Sequence, residues 1–210
     1  MKFMKIASIL LMFGFLFIAN AISPVTTSND NSTVIDLNDN STNSNATVLD
    51  ISKGRSVISG DIDISKLSEE IHSVWIVDAG NWKGYSPHQL VREEIQAGYG
   101  LLEENIPARK ATIVFAMEDT QLEVAIPNEP QSMTRLYGKG LSLHGANGES
   151  ISVYDILCST PEYTLSAAIK VMGDEASLFV PESTIDGYGS FMNINESEGY
   201  YVLCEKAKEE

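Results

Sequence analysis

Hydrophobic and polar positions along this chain fall into three regimes. Residues Ile6 to Ile18 form an almost unbroken apolar run behind Lys2 and Lys5, closed by the small residues of Ala19-Asn20-Ala21. From Ile22 to Asp50 apolar residues become sparse and Asn, Ser, Thr and Asp dominate. Beyond Ile51 the pattern turns to short β-rich runs punctuated by turn residues. Val74-Trp75-Ile76-Val77 and Trp82 to Ser86 flank Asp78-Ala79-Gly80-Asn81, which predicts a hairpin. Ile169 to Val171 and Ser177 to Val180, around Met172-Gly173-Asp174-Glu175, predict a second. Pro87 and Pro181 end the outgoing strands, because proline has no N–H to give a sheet ladder. Apolar runs over Thr112 to Met117 and Gly199 to Cys204 predict closing strands, and Leu122 to Ile126 an additional one. Ser86-Pro87-His88-Gln89 carries a helix-start signal and Gly98 a stop, which predicts a helix over Pro87 to Ala97.

These elements recur in one order. Lys53-Gly54-Arg55-Ser56-Val57 reads against Lys139-Gly140-Leu141-Ser142-Leu143, and Ile62, Ile64 and Leu67 read against Ile151, Val153 and Ile156. The first hairpin through Pro87 reads against the second through Pro181. Gly98-Tyr99-Gly100 then reads against Gly187-Tyr188-Gly189, and Ile113-Val114 against Tyr201-Val202. A fixed order of features with slowly drifting offsets is the mark of an internal repeat. The expected fold class is mostly β, α+β in detail: two tandem small twisted β-sheet domains, the first with one short helix. The expected organisation is a signal peptide over 1–21, a disordered spacer over 22–50, and a β-rich repeat over 51–117. A linker over 118–136 follows, then a second repeat over 137–210.

The N-terminal segment changes the picture most. A basic start, a short apolar run and a small-residue cleavage site are the layout of a secretory signal, the alternative being a retained signal anchor. No later stretch approaches spanning length, so no membrane span is expected once the signal is removed. The chain has 14 Lys and Arg against 29 Asp and Glu, a net charge of −15, and loss of Lys2 and Lys5 takes the mature chain to −17. Such a charge repels phosphate backbones and anionic lipid surfaces, which excludes nucleic acid as an expected partner. In an oxidising compartment the only two cysteines, Cys158 and Cys204, read as one disulfide, with two free thiols as the alternative. Asn-x-Ser/Thr sequons stand at Asn31, Asn40, Asn45 and Asn195, possible N-glycosylation sites in a glycosylating organism.

The residues of both repeats resemble a tandem β-rich module of secreted and cell-surface proteins of bacteria and archaea, associated with S-layer and adhesin-like regions. Trp75, Trp82, Tyr85 and Pro87 fall on its hairpin pattern, and Glu198-Gly199-Tyr200-Tyr201-Val202 on its closing pattern. The opening Trp-Asn of that module is Arg55-Ser56 in the first repeat and Leu141-Ser142 in the second, and the second hairpin has no Trp. The resemblance implies an extracellular structural or binding module without catalytic activity.

Candidate chemistry adds little. His72, His88 and His144 lack metal-site spacing. No nucleophile elbow occurs, and Asp61 and Asp63 read as an acidic strand edge rather than a paired-carboxylate centre. Asp36-Leu37-Asn38-Asp39-Asn40 lacks the glycine and terminal acid of a calcium loop. Neither a catalytic residue, a metal nor a cofactor is expected. Trp75, Trp82 and Tyr85 are the candidate ligand face, against packing as the simpler use of such rings. The expectation is a secreted or cell-surface structural/interaction protein whose partner is an unknown protein or glycan. The alternatives are a carbohydrate-binding module, which would present Trp75 and Trp82 coplanar and exposed, and a divergent secreted hydrolase.

Overall fold

The structure, a computed structural model, describes residues 44–127, 136–181 and 191–207. The segment expected to be a signal peptide, Asn31, Asn40, Asp36 to Asn40 and the Gly187-Tyr188-Gly189 triplet lie outside these residues. The chain is mostly β. Its first part runs β1 (Ser44–Ile51), β2 (Gly54–Ser59), a 3-10 turn (Ile64–Lys66), β3 (Ile71–Asp78) and β4 (Asn81–Tyr85). Helix α1 (Gln89–Gly98), β5 (Gly100–Leu101), β6 (Ala111–Ala116) and β7 (Thr120–Pro127) follow. Its second part runs β8 (Leu136–Tyr137), β9 (Gly140–Gly145), β10 (Ile151–Ser152), a 3-10 turn (Val153–Asp155) and β11 (Leu157–Cys158). It continues with β12 (Tyr163–Met172), β13 (Glu175–Phe179), β14 (Asn193–Ile194) and β15 (Gly199–Lys206).

Two main sheets result, ordered β2-β6-β3-β4-β5 and β9-β15-β12-β13. Leaving out the two-residue β5, both place their first strand beside the last, then the two hairpin strands. The registers agree as well. Val57 pairs with Ile113, which pairs with Trp75; Leu143 pairs with Tyr201, which pairs with Ile169. Each hairpin partner of the closing strand carries a register slip, between Ile71 and Ser73 in one sheet and between Leu165 and Ala167 in the other. Ile62 pairs with Ile106 just before the first 3-10 turn, and Ile151 with Ile194 just before the second.

Turn chemistry sets the hairpins. Ala79 (φ 46°) and Gly80 (φ 80°) are both left-handed, as a type I′ turn requires, whereas only Gly173 (φ 61°) is left-handed in the second, the type II′ arrangement. Both match the twist of the flanking strands, so different sequences deliver the same two-residue register.

Each sheet is buried on both faces, which is why the central strands read as nearly continuous apolar runs, broken only by Thr112: Ala111-Thr-Ile-Val-Phe-Ala116 and Tyr200-Tyr-Val-Leu203. Alternate residues of the first sheet, Ile58, Val74, Ile76 and Val114, enter a core with Ile62, Ile64, Leu67, Ile106, Leu122 and Val124. In the second, Ala168, Tyr200, Val202 and Cys204 enter a core with Tyr137, Ile151, Val153, Phe179, Phe191 and Ile194. The intervening residues meet between the sheets, where Val57, Ala111 and Ile113 pack with Ile169, Val171 and Tyr201. Backbone bonds stitch the seam: Ser59 N–H donates to the Ser197 carbonyl at 2.8 Å and Arg55 N–H to the Gly173 carbonyl at 3.3 Å.

Two expectations shift. The spacer, expected to run to Asp50, gives way at Ser44 to β1, which pairs over its whole length with β7. Leu49 and Ile51 turn into the first core, so this Asn/Ser/Thr-rich sequence pairs once β7 supplies an edge. The helix begins at Gln89 rather than Pro87. Ser86 Oγ does accept a backbone N–H, that of His88 at 3.1 Å, but its hydroxyl donates to the His72 carbonyl, tying the turn to β3.

Candidate functional site

Strand register decides what the aromatic residues can do. Trp75 sits opposite Gly84, and Trp82 opposite Val77, so both rings project to the seam face of the first sheet. They are half-buried and pack with Phe115, Leu143 and Leu178 around the inter-sheet cluster. A Cβ on Gly84 would lie 2.8–3.0 Å from ring carbons of Trp75, so the glycine is the floor on which the indole rests. Trp75 Nε1–H donates to Ser73 Oγ at 2.9 Å, and the exposed Tyr99 meets the indole edge-on at 85°. Tyr85 pairs with Val74 and projects to the opposite face, against the first core, with the Arg92 guanidinium 5.4 Å from its ring centre. The three residues read as a single face therefore lie on two.

Charged groups near the sheets are engaged with one another. Asp78, at the tip of the first hairpin, accepts from Lys83 at 2.8 Å and from Lys110 at 3.0 Å. The Lys83 hydrogen bond, then that of Lys110, holds the Asp78 carboxyl below the usual aspartate range, and Asp78 in turn raises Lys83. Glu198 accepts from Lys170 with both oxygens at 3.0 Å and from the Asn195 backbone and side-chain N–H groups at 2.8 and 3.1 Å. Lys170 also lies 4.8 Å above the Phe191 ring. Burial raises the Tyr201 phenol in the seam, with Arg55 opposing in part.

Asp61 and Asp63 border a cleft of about 200 Å³ with Lys66, Asn105, Glu123 and Val124. Asp61 Oδ1 accepts the Ala108 N–H, while Asp63 accepts from the Ser65 N–H and hydroxyl and so caps the 3-10 turn. The Ser65 side chain, then its N–H, holds Asp63 below the usual range. Both carboxylates are thus fold-making groups. Among the described residues no three His, Cys, Asp or Glu side chains are placed to hold a metal ion. His72 and His88 stand 6.4 Å apart, and His144 bonds Ser142 Oγ at 2.7 Å while lying edge-on to Tyr137.

No protein-family model, curated protein or solved structure matches this chain. Cys158 and Cys204 form a disulfide with Cα atoms 6.0 Å apart, joining β11 to the central strand β15. Asn45 is exposed on β1 and Asn195 in the turn before β15. Among the described residues no helix is long and apolar enough to cross a membrane. What sequence reasoning missed is that the face shared by Trp75 and Trp82 is directed at the other sheet and that Tyr85 lies on the opposite one. Period-2 counting puts Trp75 and Tyr85 on opposite faces only once the Asp78–Asn81 register is known.

Proposed function

We propose that this chain is a secreted or cell-surface structural/interaction protein made by duplication of one β module, without catalytic activity of its own. One observation carries the reading. Two sheets with the same strand order, register and slip positions face each other, and Trp75 and Trp82 of the first and Tyr201 of the second are spent on the seam between them. A sugar platform needs coplanar exposed rings, whereas Trp75 is half-buried and meets Tyr99 at 85°. Hydrolysis needs convergent groups around a pocket, and in the described cleft Asp61 and Asp63 are committed to backbone and capping bonds and Glu123 to Lys66. The apolar N-terminal run and the disulfide support an extracellular place of work. The resemblance to repeat modules of bacterial and archaeal surface proteins agrees with it.

The test expresses the chain from Met1 in a secretion-competent host and sequences the N-terminus of the product. A soluble or surface-attached product beginning at Ile22, inert toward glycoside, ester and peptide substrates and not retained by polysaccharide columns, is the expected outcome. A cytoplasmic full-length chain, or turnover abolished by one point substitution, overturns it.

A further inference from the structure

We propose that Lys170 and Asn195 join through an amide bond between their side chains, with Glu198 as the proton carrier. Lys170 is out of place for its strand. Trp75 and Ile169 hold equivalent positions beside the closing strands, so Lys170 is the counterpart of Ile76. Ile76 lies in the first core, 4% exposed. On β12, Ala168 likewise enters the second core, while Ile169 and Val171 face the seam. Lys170 therefore carries an amine on the core side of its strand, its side chain 20% exposed and that of its partner Glu198 19%. Stability alone is a poor reason for an ion pair in that place, because desolvation offsets much of the attraction.

The surroundings of the amine supply another reason. Lys170 Nζ lies 3.0 Å from both Glu198 oxygens, 3.4 Å from the Asn193 carbonyl oxygen and 4.8 Å from the centre of the Phe191 ring. Asn195 Nδ2 donates to the same Glu198 Oε1 at 3.1 Å, and the Asn195 backbone N–H donates to Oε2 at 2.8 Å. One carboxylate oxygen thus touches both the nitrogen that would attack and the nitrogen that would leave. Glu198 is itself held by its backbone. Its carbonyl accepts the Ala146 N–H at 2.9 Å, and its N–H donates to the Asn195 carbonyl at 2.9 Å. Groups fixed in this way react as neighbours rather than by chance encounter. Asn195 is exposed, which gives the leaving group a way out.

The step balances without an oxidant or a cofactor. Glu198 takes a proton from the Lys170 ammonium, and the freed Nζ lone pair attacks Asn195 Cγ. Two Nζ protons in all pass through Glu198 to Nδ2. The Cγ–Nδ2 bond breaks with its electron pair on nitrogen, an ammonium ion departs, and Glu198 returns to a carboxylate facing the new amide N–H. The bond forms once in each chain, so no turnover results. It also consumes the side-chain amide that the sequon Asn195-Glu196-Ser197 would offer to a glycan. The proposal does not depend on the interaction-protein reading.

The test takes the whole chain expressed from Met1, sequences its N-terminus and measures its intact mass after reduction and denaturation. The mass is expected to fall short of the sequence by one ammonia. Cleavage after Glu162, Glu175, Glu182 and Glu196 should then yield a branched peptide joining 163–175 to 183–196. Lys170→Arg keeps the positive charge and should restore the full mass. Glu198→Gln keeps the shape and should do the same, with circular dichroism showing that it folds. A wild-type chain of full mass overturns the proposal. So does an ammonia deficit without the branched peptide, as ring closure at Asn147-Gly148 would give, or a folded Glu198→Gln chain that still carries the bond.

Discussion

The two modules close equivalent cores by different means. The first lays the eight-residue strands β1 and β7 over its sheet, bringing in Leu49, Ile51, Leu122 and Val124. The second has a two-residue parallel pairing, Leu136–Tyr137 with Leu157–Cys158, and locks it with the Cys158–Cys204 disulfide. Its interior is filled by rings instead. Tyr137 stands at the position of Ile51 and Tyr200 at that of Thr112, their hydroxyls 2.6 Å apart. A core of given volume can thus be filled by aliphatic residues donated from extra strands, or by larger side chains already on the sheet and a covalent staple. The strand order tolerates both because the central strand and hairpin, which set it, are unchanged.

The largest effect expected from breaking this comparison is at the staple. Replacing Cys158 and Cys204 with Ala should cost about 4 kcal/mol, the chain-entropy value for a closed loop of 46 residues. Urea denaturation of the oxidised and substituted proteins measures it, and hydrogen exchange should show β8, β11 and β15 losing protection ahead of β1 and β7. Uniform loss would mean that the seam makes the modules one cooperative unit. The matching insult to the first module is Leu122→Ala in β7, which removes a buried side chain from a strand without a counterpart among the described residues of the second module. About 3 kcal/mol is expected, with β1 and β7 losing protection first.

A finer contrast lies at the equivalent pair Thr112 and Tyr200. Thr112 Oγ1 is buried without a hydrogen-bond partner, whereas the Tyr200 hydroxyl bonds Tyr137. Thr112→Val should therefore be neutral or stabilise by up to about 1 kcal/mol, while Tyr200→Phe should cost about 1 kcal/mol by removing the hydrogen bond between the two buried hydroxyls. Thermal melts of the two variants check the sign. Destabilisation by Thr112→Val would show that its hydroxyl is satisfied.

The hairpins were legible in the sequence because they rest on local signals. Glycine at a left-handed turn, proline after a strand and alternating apolar residues act within a few positions, and Asp78–Asn81 and Met172–Glu175 pair as those signals require. The strand character of Ser44 to Asp50 was not legible, since its polar composition reads as spacer and its partner Gln121 to Pro127 lies over 70 residues away. Ser86 misled for the same reason: its hydroxyl looks like a helix cap but donates to His72 across the sheet. The roles of Trp75 and Trp82 depended on which sheet face meets the other module, a tertiary fact that no window of sequence carries.

The smallest expected effect concerns the charged latches that hold the segment before each closing strand. Lys110 and Glu198 stand at equivalent positions with opposite charge, Lys110 bonding Asp78 and Glu198 bonding Lys170. The Asp78 latch is the wetter one, its side chain 37% exposed against 19% for Glu198, so solvent screening leaves it worth less than about 1 kcal/mol. Lys83, then Lys110, lowers the Asp78 carboxyl on folding, so its contribution is whole above the unfolded aspartate value, near pH 4. It is lost as pH falls through the lower folded value. Asp78→Asn should then lower the melting temperature slightly at neutral pH, and the gap from wild type should close as the solution is acidified below about pH 3. Added salt should narrow the gap at neutral pH, because both partners are reached by solvent. A gap that stays constant from neutral to strongly acid pH would mean that Asp78 holds the hairpin through shape rather than charge.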